Sequence, residues 1–203
     1  VTEADIIAWL NHGRDVKTAQ MWTIDPIDGT KGFLSGRSYT IAVGILHDGK
    51  PAAGILGSPG YYGTDGRGKL FYAVNGVAYA VQFEADAVGV ALRVSARSAA
   101  DHPHTVESVE SKHAAHELIS QIYAGAGIIA PTIIRVDGQD KYGMVASGDA
   151  DLYLRISPKA DYREKVWDHA AGVAVIEAAG GRVTDLYGRA LDFSLGEQLA
   201  NNS

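Results

Sequence analysis

Trp22-Thr-Ile-Asp-Pro-Ile-Asp-Gly-Thr-Lys-Gly-Phe33 is the stretch that decides the fold of this chain and indicates its chemistry. It holds two carboxylates, Asp25 and Asp28, on either side of Pro26. Because proline fixes its own φ and favours extended backbone before it, we expect Asp25 at the end of a strand and Asp28 in the following turn. Mg²⁺ prefers oxygen ligands and commonly binds carboxylates together with a substrate phosphate. The stretch therefore predicts a site for metal and phosphate.

The two residues after Asp28 suit the same chemistry. Gly29 and Thr30 offer backbone N–H groups and a hydroxyl on which a phosphate could rest. Asp-x-x-Asp-Gly is also typical of an ordinary turn, since Asp and Gly are the commonest turn residues. Five residues alone favour the turn, so the metal interpretation depends on the longer string and on a partner elsewhere in the chain.

A second string supplies that partner. Lys165-Val-Trp-Asp-His-Ala-Ala-Gly172, followed by Glu177-Ala-Ala-Gly-Gly181, is similar to the second signature of the inositol monophosphatase superfamily. The stretch from Trp22 to Phe33 resembles the first signature, so the two motifs stand in the family's order. Members of this superfamily are Mg²⁺-dependent, lithium-sensitive phosphatases. Lys31-Gly32-Phe33 resembles the 3′(2′),5′-bisphosphate nucleotidase branch, whereas the inositol branch usually shows Thr-Asn-Phe. The resemblance implies removal of the 3′-phosphate of 3′-phosphoadenosine 5′-phosphate, and of its sulfated relative.

The resemblance also implies a fold and its extent. It predicts an α/β protein, with an α+β sheet portion followed by an α/β unit in a layered α-β-α-β-α sandwich. It covers the chain from about Trp22 onward. Both ends are expected to be truncated relative to the family: the N-terminal helical pair and a hairpin with an acidic metal ligand and a catalytic Asp precede this region, and a final strand and helix follow it.

The site residues follow from the resemblance, motif by motif. It implies that two or three Mg²⁺ are held by Asp25, the carbonyl of Ile27, Asp28 and Asp168. Thr30, with Asp25 and Asp28, is the expected catalytic set. Taken alone, Asp168 would be interpreted as the N-cap of a helix, since Asp is a favoured capping residue.

A bisphosphate nucleotide is the small-molecule partner that the resemblance implies. The expected substrate-binding residues are Gly29, Thr30, His113, Gly138, Lys141, Arg155 and Asp168. Without the resemblance, Lys141 and Arg155 would be solvated surface groups. The family commonly has Ser where this chain has Ala114, Ala115 and Gly138. Gly138 has no side chain for a hydroxyl contact, and a neutral contact of that kind contributes on the order of 1 kcal/mol.

Composition excludes several classes of protein. The chain has 203 residues with a net charge of −6, which provides no basic footprint for nucleic acid. It contains no cysteine, so disulfides and thiolate metal sites are absent. No apolar run approaches the length of a membrane span, and no signal peptide is visible. We expect a cytoplasmic protein that does not bind membranes and whose parent is a monomer.

Periodicity predicts two regions that meet near residue 92. Residues 1–92 should be mainly an antiparallel sheet after a short helix over 2–12, with hairpins at His47-Asp-Gly-Lys50 and Asn75-Gly76. Residues 93–203 should alternate strands and helices. Predicted strands are 105–109, 133–136 and 152–156, and predicted helices are 114–124, 139–147 and 167–179.

Two other functions remain open. The chain could be a catalytically incomplete fragment or a module that only binds nucleotide, because the expected hairpin is missing. It could also be an inositol monophosphatase-like phosphatase, which Lys31 and Gly32 disfavour. Loss of sheet partners would expose an edge strand and an apolar face, so we expect this chain to self-associate.

Overall fold

The computed structural model describes residues 1–13, 18–61, 68–109, 116–156 and 162–201. Its helices are α1 (Glu3–Leu10), α2 (Thr30–Leu34), α3 (His116–Gly125), α4 (Asp140–Ala146) and α5 (Ala170–Ala178), with a 3₁₀ helix at Val166–Asp168. The first sheet holds β1 (Gln20–Asp28), β2 (Thr40–His47), β3 (Lys50–Ser58), β4 (Lys69–Val74), β5 (Val77–Gln82) and β6 (Val90–Ala91). The second sheet holds β7 (His104–Ser108), β8 (Thr132–Val136) and β9 (Leu152–Tyr153).

The first sheet confirms the antiparallel prediction. Its six strands pair in chain order, and both predicted hairpins are present. Asp48 and Asn75 adopt positive φ, each followed by a glycine with positive φ, as tight two-residue turns require. The predicted first helix is also confirmed, and Thr2 caps it in a reciprocal capping box with Asp5.

The second sheet is parallel, in the order β8-β7-β9, and helices alternate with its strands as predicted. Two predicted elements differ in extent. β9 ends at Tyr153 instead of residue 156, and the predicted helix 167–179 is divided into the 3₁₀ helix and α5. Helices α4 and α5 lie between the sheets, and α3 packs on the far side of the second sheet. The layered α/β class is therefore confirmed, while the domain boundary near residue 92 stays a prediction.

A pair of glycines lets α5 lie directly on the first sheet. Gly44 and Gly54 are cross-strand partners in β2 and β3. A Cβ on Gly54 would lie 2.9 Å from the Cα of Ala171, and one on Gly44 would lie 2.8 Å from the Cβ of Ala170. Any side chain at these two positions would therefore push the helix off the sheet.

The outer face of the first sheet stays uncovered in the part of the chain that the structure describes. Trp22, Ile24, Ile41 and Ile55 are each more than two-fifths exposed. Helix α1 has no buried residue, so it does not cover this face. Self-association through such a face stays a prediction. Among the described residues, no helix has the length and apolarity needed to cross a bilayer.

Gly54→Ala tests the close approach of α5. The added methyl meets helix backbone, which cannot move aside as a flexible side chain can, so we expect a loss of about 1–3 kcal/mol in unfolding free energy. Urea denaturation measures it. Gly125→Ala is the matched control, because a Cβ there meets nothing within 4 Å. Equal stability of the two variants would contradict the packing argument.

Asp140 is a buried acid that destabilises the fold at neutral pH. It is 0% exposed, and within the described residues neither carboxylate oxygen has a hydrogen-bond partner of good geometry, although Ser38 and the Lys141 N–H are near enough to lower its pKa. Burial raises its pKa, an effect that the charge of Lys141 partly offsets. A raised pKa in the folded state means that stability is lost as pH rises from the ordinary Asp range towards the raised value.

Asp140→Asn should therefore raise the unfolding free energy at pH 7 by on the order of 1 kcal/mol or more, with little gain near pH 4. Thermal unfolding of both proteins across this pH range measures the difference. The exposed substitution Asp86→Asn serves as the control. A gain that does not depend on pH would show that the charge of Asp140 is not the cause.

Candidate metal and phosphate site

The fold brings together three carboxylates from the two sequence motifs. Oxygen atoms of Asp25, Asp28 and Asp168 all lie within 4.8 Å of one another. The first two residues belong to β1 and the third to the 3₁₀ helix before α5. Because α5 lies on β2 and β3, its N-terminal end faces the strand that carries the other two acids. Residues 140 positions apart in sequence thus share one anionic site.

The position of Asp28 corrects the prediction of a turn. Asp28 is the last residue of β1 and pairs with Thr40, after an irregularity in the register that begins at Asp25. Pro26 is tolerated within the strand because β1 is at the edge of the sheet, where a missing N–H donor costs little. The bulge turns both carboxylates towards the same side, as bulges beside functional sites commonly do.

Local hydrogen bonds fix the backbone of this motif. The N–H of Ile27 donates to Asp25 Oδ1 at 3.1 Å, and the Thr30 hydroxyl donates to the Ile27 carbonyl at 2.9 Å. Gly29 adopts φ of 81°, a left-handed conformation that suits glycine. Thr30 and the Ile27 carbonyl therefore lie in one turn, directly after the pair of acids.

Asp168 does not cap α5. It ends the 3₁₀ helix, and His169 occupies the N-cap position without a side-chain capping bond. The carboxylate of Asp168 instead faces the acids of β1, where it raises the pKa of both. The capping interpretation of Asp168 is therefore wrong for this chain.

Crowding of negative charge perturbs the site strongly. Burial raises the pKa of Asp28 to about 7, with Asp168 and Asp25 adding to the rise. The charges of Lys141 and Arg155 act in the opposite direction. Burial also raises the pKa of Asp25, although the N–H of Ile27 partly compensates. A cluster of acids that resists ionisation in this way is a site that an added cation would stabilise.

Lys141 and Gly138 pack beside the end of β1 that carries the motif. Lys141 is 3% exposed, and its Nζ donates to the carbonyls of Val136, Asp137 and Gly138 at 3.3, 2.9 and 2.7 Å. A Cβ on Gly138 would lie 2.9 Å from Thr40 Oγ1. Lys141 is thus no solvated surface group, and a side chain at position 138 would require the neighbouring strand to shift.

Arg155 lies inside a polar network that the sequence did not reveal. Its Nε and Nη2 donate to the two oxygens of Glu164 at 3.1 and 2.6 Å, and Nη2 lies 3.4 Å from Asp168 Oδ2. His169 contacts both Glu164 and the hydroxyl of Tyr142. Glu164 and His169 stand within or beside the second motif, but a single sequence contains no signal that they are paired.

The histidine predicted near the nucleotide, His113, lies outside the described residues, as do Ala114 and Ala115. His116 begins α3, and its Nδ1 lies 2.8 Å from the buried carboxylate of Glu107. This contact joins the start of α3 to β7.

The donor set fits a hard divalent cation. The three carboxylates supply oxygen only, which Mg²⁺ favours over softer metals. Burial raises the pKa of both Asp25 and Asp28, so a cation bound among these acids would favour their ionised forms. The residues present could therefore hold a metal ion.

Binding of Mg²⁺ should depend on pH because the cation must displace a proton from Asp28 below its pKa of about 7. We expect the apparent affinity to fall by up to about tenfold per unit as pH drops below 7, and to level off above it. Calorimetric titrations at several pH values, in buffers of different ionisation enthalpy, measure both affinity and proton release. Asp28→Asn should bind Mg²⁺ weakly with no proton release. An affinity that is constant from pH 6 to pH 8 would contradict the assignment.

Comparison with known proteins finds relatives that share one name. The 3′(2′),5′-bisphosphate nucleotidase of Emericella nidulans is 39% identical over 202 residues, covering 90% of this chain and 57% of that protein. The enzyme of the same name from Dictyostelium discoideum is 38% identical, covering 95% and 59%. The chain thus spans little more than half the length of these curated relatives.

Solved structures show the same fold at lower identity. CysQ from Bacteroides thetaiotaomicron, a bacterial member of the inositol monophosphatase family, superposes with a TM-score of 0.71 at 23% identity, covering 94% of this chain and 69% of that one. SuhB from Mycobacterium tuberculosis has a TM-score of 0.64 at 22% identity, covering 97% and 73%. The family model for inositol monophosphatases matches residues 7–203. This chain belongs to the inositol monophosphatase family.

Proposed function

We propose that the protein is a Mg²⁺-dependent phosphomonoesterase that removes the 3′-phosphate of 3′-phosphoadenosine 5′-phosphate, giving AMP and phosphate. Its sulfated relative, 3′-phosphoadenylyl sulfate, is the second proposed substrate. The observation that carries the proposal is the convergence of Asp25, Asp28 and Asp168 within 4.8 Å. The names of relatives at 38–39% identity support the choice of substrate.

The acids would hold two or three Mg²⁺ through Asp25, the Ile27 carbonyl, Asp28 and Asp168. When bound, such ions neutralise phosphate charge and make water a better nucleophile at neutral pH. Thr30 would orient the attacking water with its hydroxyl, which already lies beside the Ile27 carbonyl. The backbone N–H groups of Gly29 and Thr30 would donate to the phosphate.

Holding the nucleotide would fall to His113, Gly138, Lys141 and Arg155. Lys141 and Arg155 donate to protein groups in this structure, so they would act on a phosphate chiefly as fixed positive charges. Both charges already act on Asp28. Gly138 would contribute through its backbone alone, and we expect weaker binding of adenosine bisphosphate than in relatives with Ser there.

A second candidate function is nucleotide binding without turnover. The chain matches 57–59% of the length of these relatives. By resemblance, a Glu ligand and the Asp partner of Thr30 belong to the unmatched part. Glu3 and Asp5 precede the motif, but both are exposed, on a helix that buries no residue.

Phosphate release from 3′-phosphoadenosine 5′-phosphate, with and without Mg²⁺ and Li⁺, distinguishes the two functions. We expect Mg²⁺-dependent release that lithium suppresses, and a loss on the order of 10³-fold in Asp25→Asn, because several kcal/mol of charge stabilisation is removed. Asp86→Asn, an exposed acid on another loop, should retain activity.

A substrate panel completes this test. Faster release from inositol 1-phosphate than from the nucleotide would assign the chain to the inositol branch. If calorimetry shows nucleotide binding but no phosphate is released, the second candidate function, nucleotide binding without turnover, is supported.

A further inference from the structure

Glu164 holds a guanidinium next to the acid site. Its side chain is 2% exposed, and its two oxygens accept hydrogen bonds from Arg155 Nε at 3.1 Å and Nη2 at 2.6 Å. Such a charge-assisted fork is both strong and directional, because two parallel bonds fix the plane of the guanidinium. Burial raises the pKa of Glu164, but the contacts with His169 and Arg155 outweigh this and lower it, so Glu164 is a carboxylate at neutral pH.

The same guanidinium only just reaches Asp168. Arg155 Nη2 lies 3.4 Å from Asp168 Oδ2, which is 0.8 Å longer than its bond to Glu164 (3.4 against 2.6 Å). Within the part of the chain that the structure describes, Asp168 Oδ1 accepts no hydrogen bond. Asp168 therefore touches Arg155 at one oxygen and without a fork.

Glu164 is itself supported from the other side. His169 Nε2 lies 3.4 Å from Glu164 Oε2, and His169 Nδ1 lies 2.6 Å from the hydroxyl of Tyr142. Both rings are buried, and Tyr142 belongs to α4. The buried acid thus contacts the helix layer between the sheets through His169, at the same 3.4 Å that separates Arg155 from Asp168.

Carboxylates compete for an arginine, and the fork goes to the acid that is better placed. Glu164, Asp168 and His169 have ligand atoms within 4.8 Å of one another. The guanidinium of Arg155 already satisfies both oxygens of Glu164, so this second group is occupied by an internal cation. If Glu164 were neutral or had a shorter side chain, Asp168 would be the nearest acid whose two oxygens could both accept hydrogen bonds from the Arg155 guanidinium.

We infer that Glu164 is a positioning residue that keeps Arg155 from forming a forked pair with Asp168 and so leaves an oxygen of Asp168 for a metal ion. This inference rests on the proposed function, because it requires a metal at the three-acid site. The metal affinity of the site then depends on a residue that ligates nothing.

A double-mutant cycle on the 203-residue chain tests this inference. Mg²⁺ affinity is measured by calorimetry for Glu164→Gln, for Arg155→Gln and for the double variant. We expect Glu164→Gln to lower the affinity about tenfold or more, as loss of a support behind a metal ligand commonly does. In the Arg155→Gln background the same change should alter the affinity by less than about twofold, because the competing guanidinium is gone.

A charge-preserving variant separates position from charge. Glu164→Asp keeps the negative charge but is one methylene too short to hold the fork from its buried place, so we expect it to lower the affinity as well. Glu117→Gln on α3 is the control for loss of a distant acid and should change nothing. Thermal unfolding verifies that each variant is folded. If Glu164→Gln is not folded, Glu164→Asp replaces it in the double-mutant cycle.

Two results would overturn the inference. Equal losses of affinity from Glu164→Gln in both backgrounds would mean that Glu164 acts only as a distant negative charge. Full affinity in Glu164→Asp would mean the same. If the unsubstituted chain binds no Mg²⁺, the proposed function fails and the inference fails with it, whereas Mg²⁺ binding without coupling rejects the inference alone.

Discussion

The rest of the structure depends on one constraint, the direct contact between the backbone of α5 and the backbones of β2 and β3. Gly44 and Gly54 leave no side chain between the sheet and Ala171, so the helix lies as close as main chains permit. This closeness has a chemical result, because the 3₁₀ helix that leads into α5 brings Asp168 within reach of Asp25 and Asp28. A layer of ordinary side chains would separate these acids by several more ångströms.

That closeness concentrates negative charge in a partly buried site, where neighbouring charges and burial have opposite effects on the pKa of Asp28. Lys141 and Arg155 lower the pKa of Asp28 without neutralising the site, since each is itself held by protein groups. Burial nevertheless raises the pKa of Asp28 to about 7, and the charges of Asp168 and Asp25 add to the rise. The clustered acids thus repel one another, and a bound cation would reduce this repulsion. Functional sites commonly contain such locally unfavourable interactions, which the stability of the remaining fold offsets.

The sequence was informative where chemistry and local geometry coincide. The two motifs, both hairpins and the alternating second half were predictable, because turn residues and strand patterns act over a few positions. The strand position of Asp28 was not predictable, since it depends on a bulge and on β1 being an edge strand. The network around Glu164 was also beyond prediction, because its contacts join separate elements and no local pattern records them.

The uncovered face of the first sheet also affects the heat capacity. The heat-capacity increase on unfolding reflects apolar surface newly exposed to water. Ile24, Ile41 and Ile55 are already about half exposed to water in the folded chain, so they add less to that increase than buried residues would. The stability curve of this chain should accordingly be flatter with temperature than is usual for 203 residues, with weaker destabilisation in the cold.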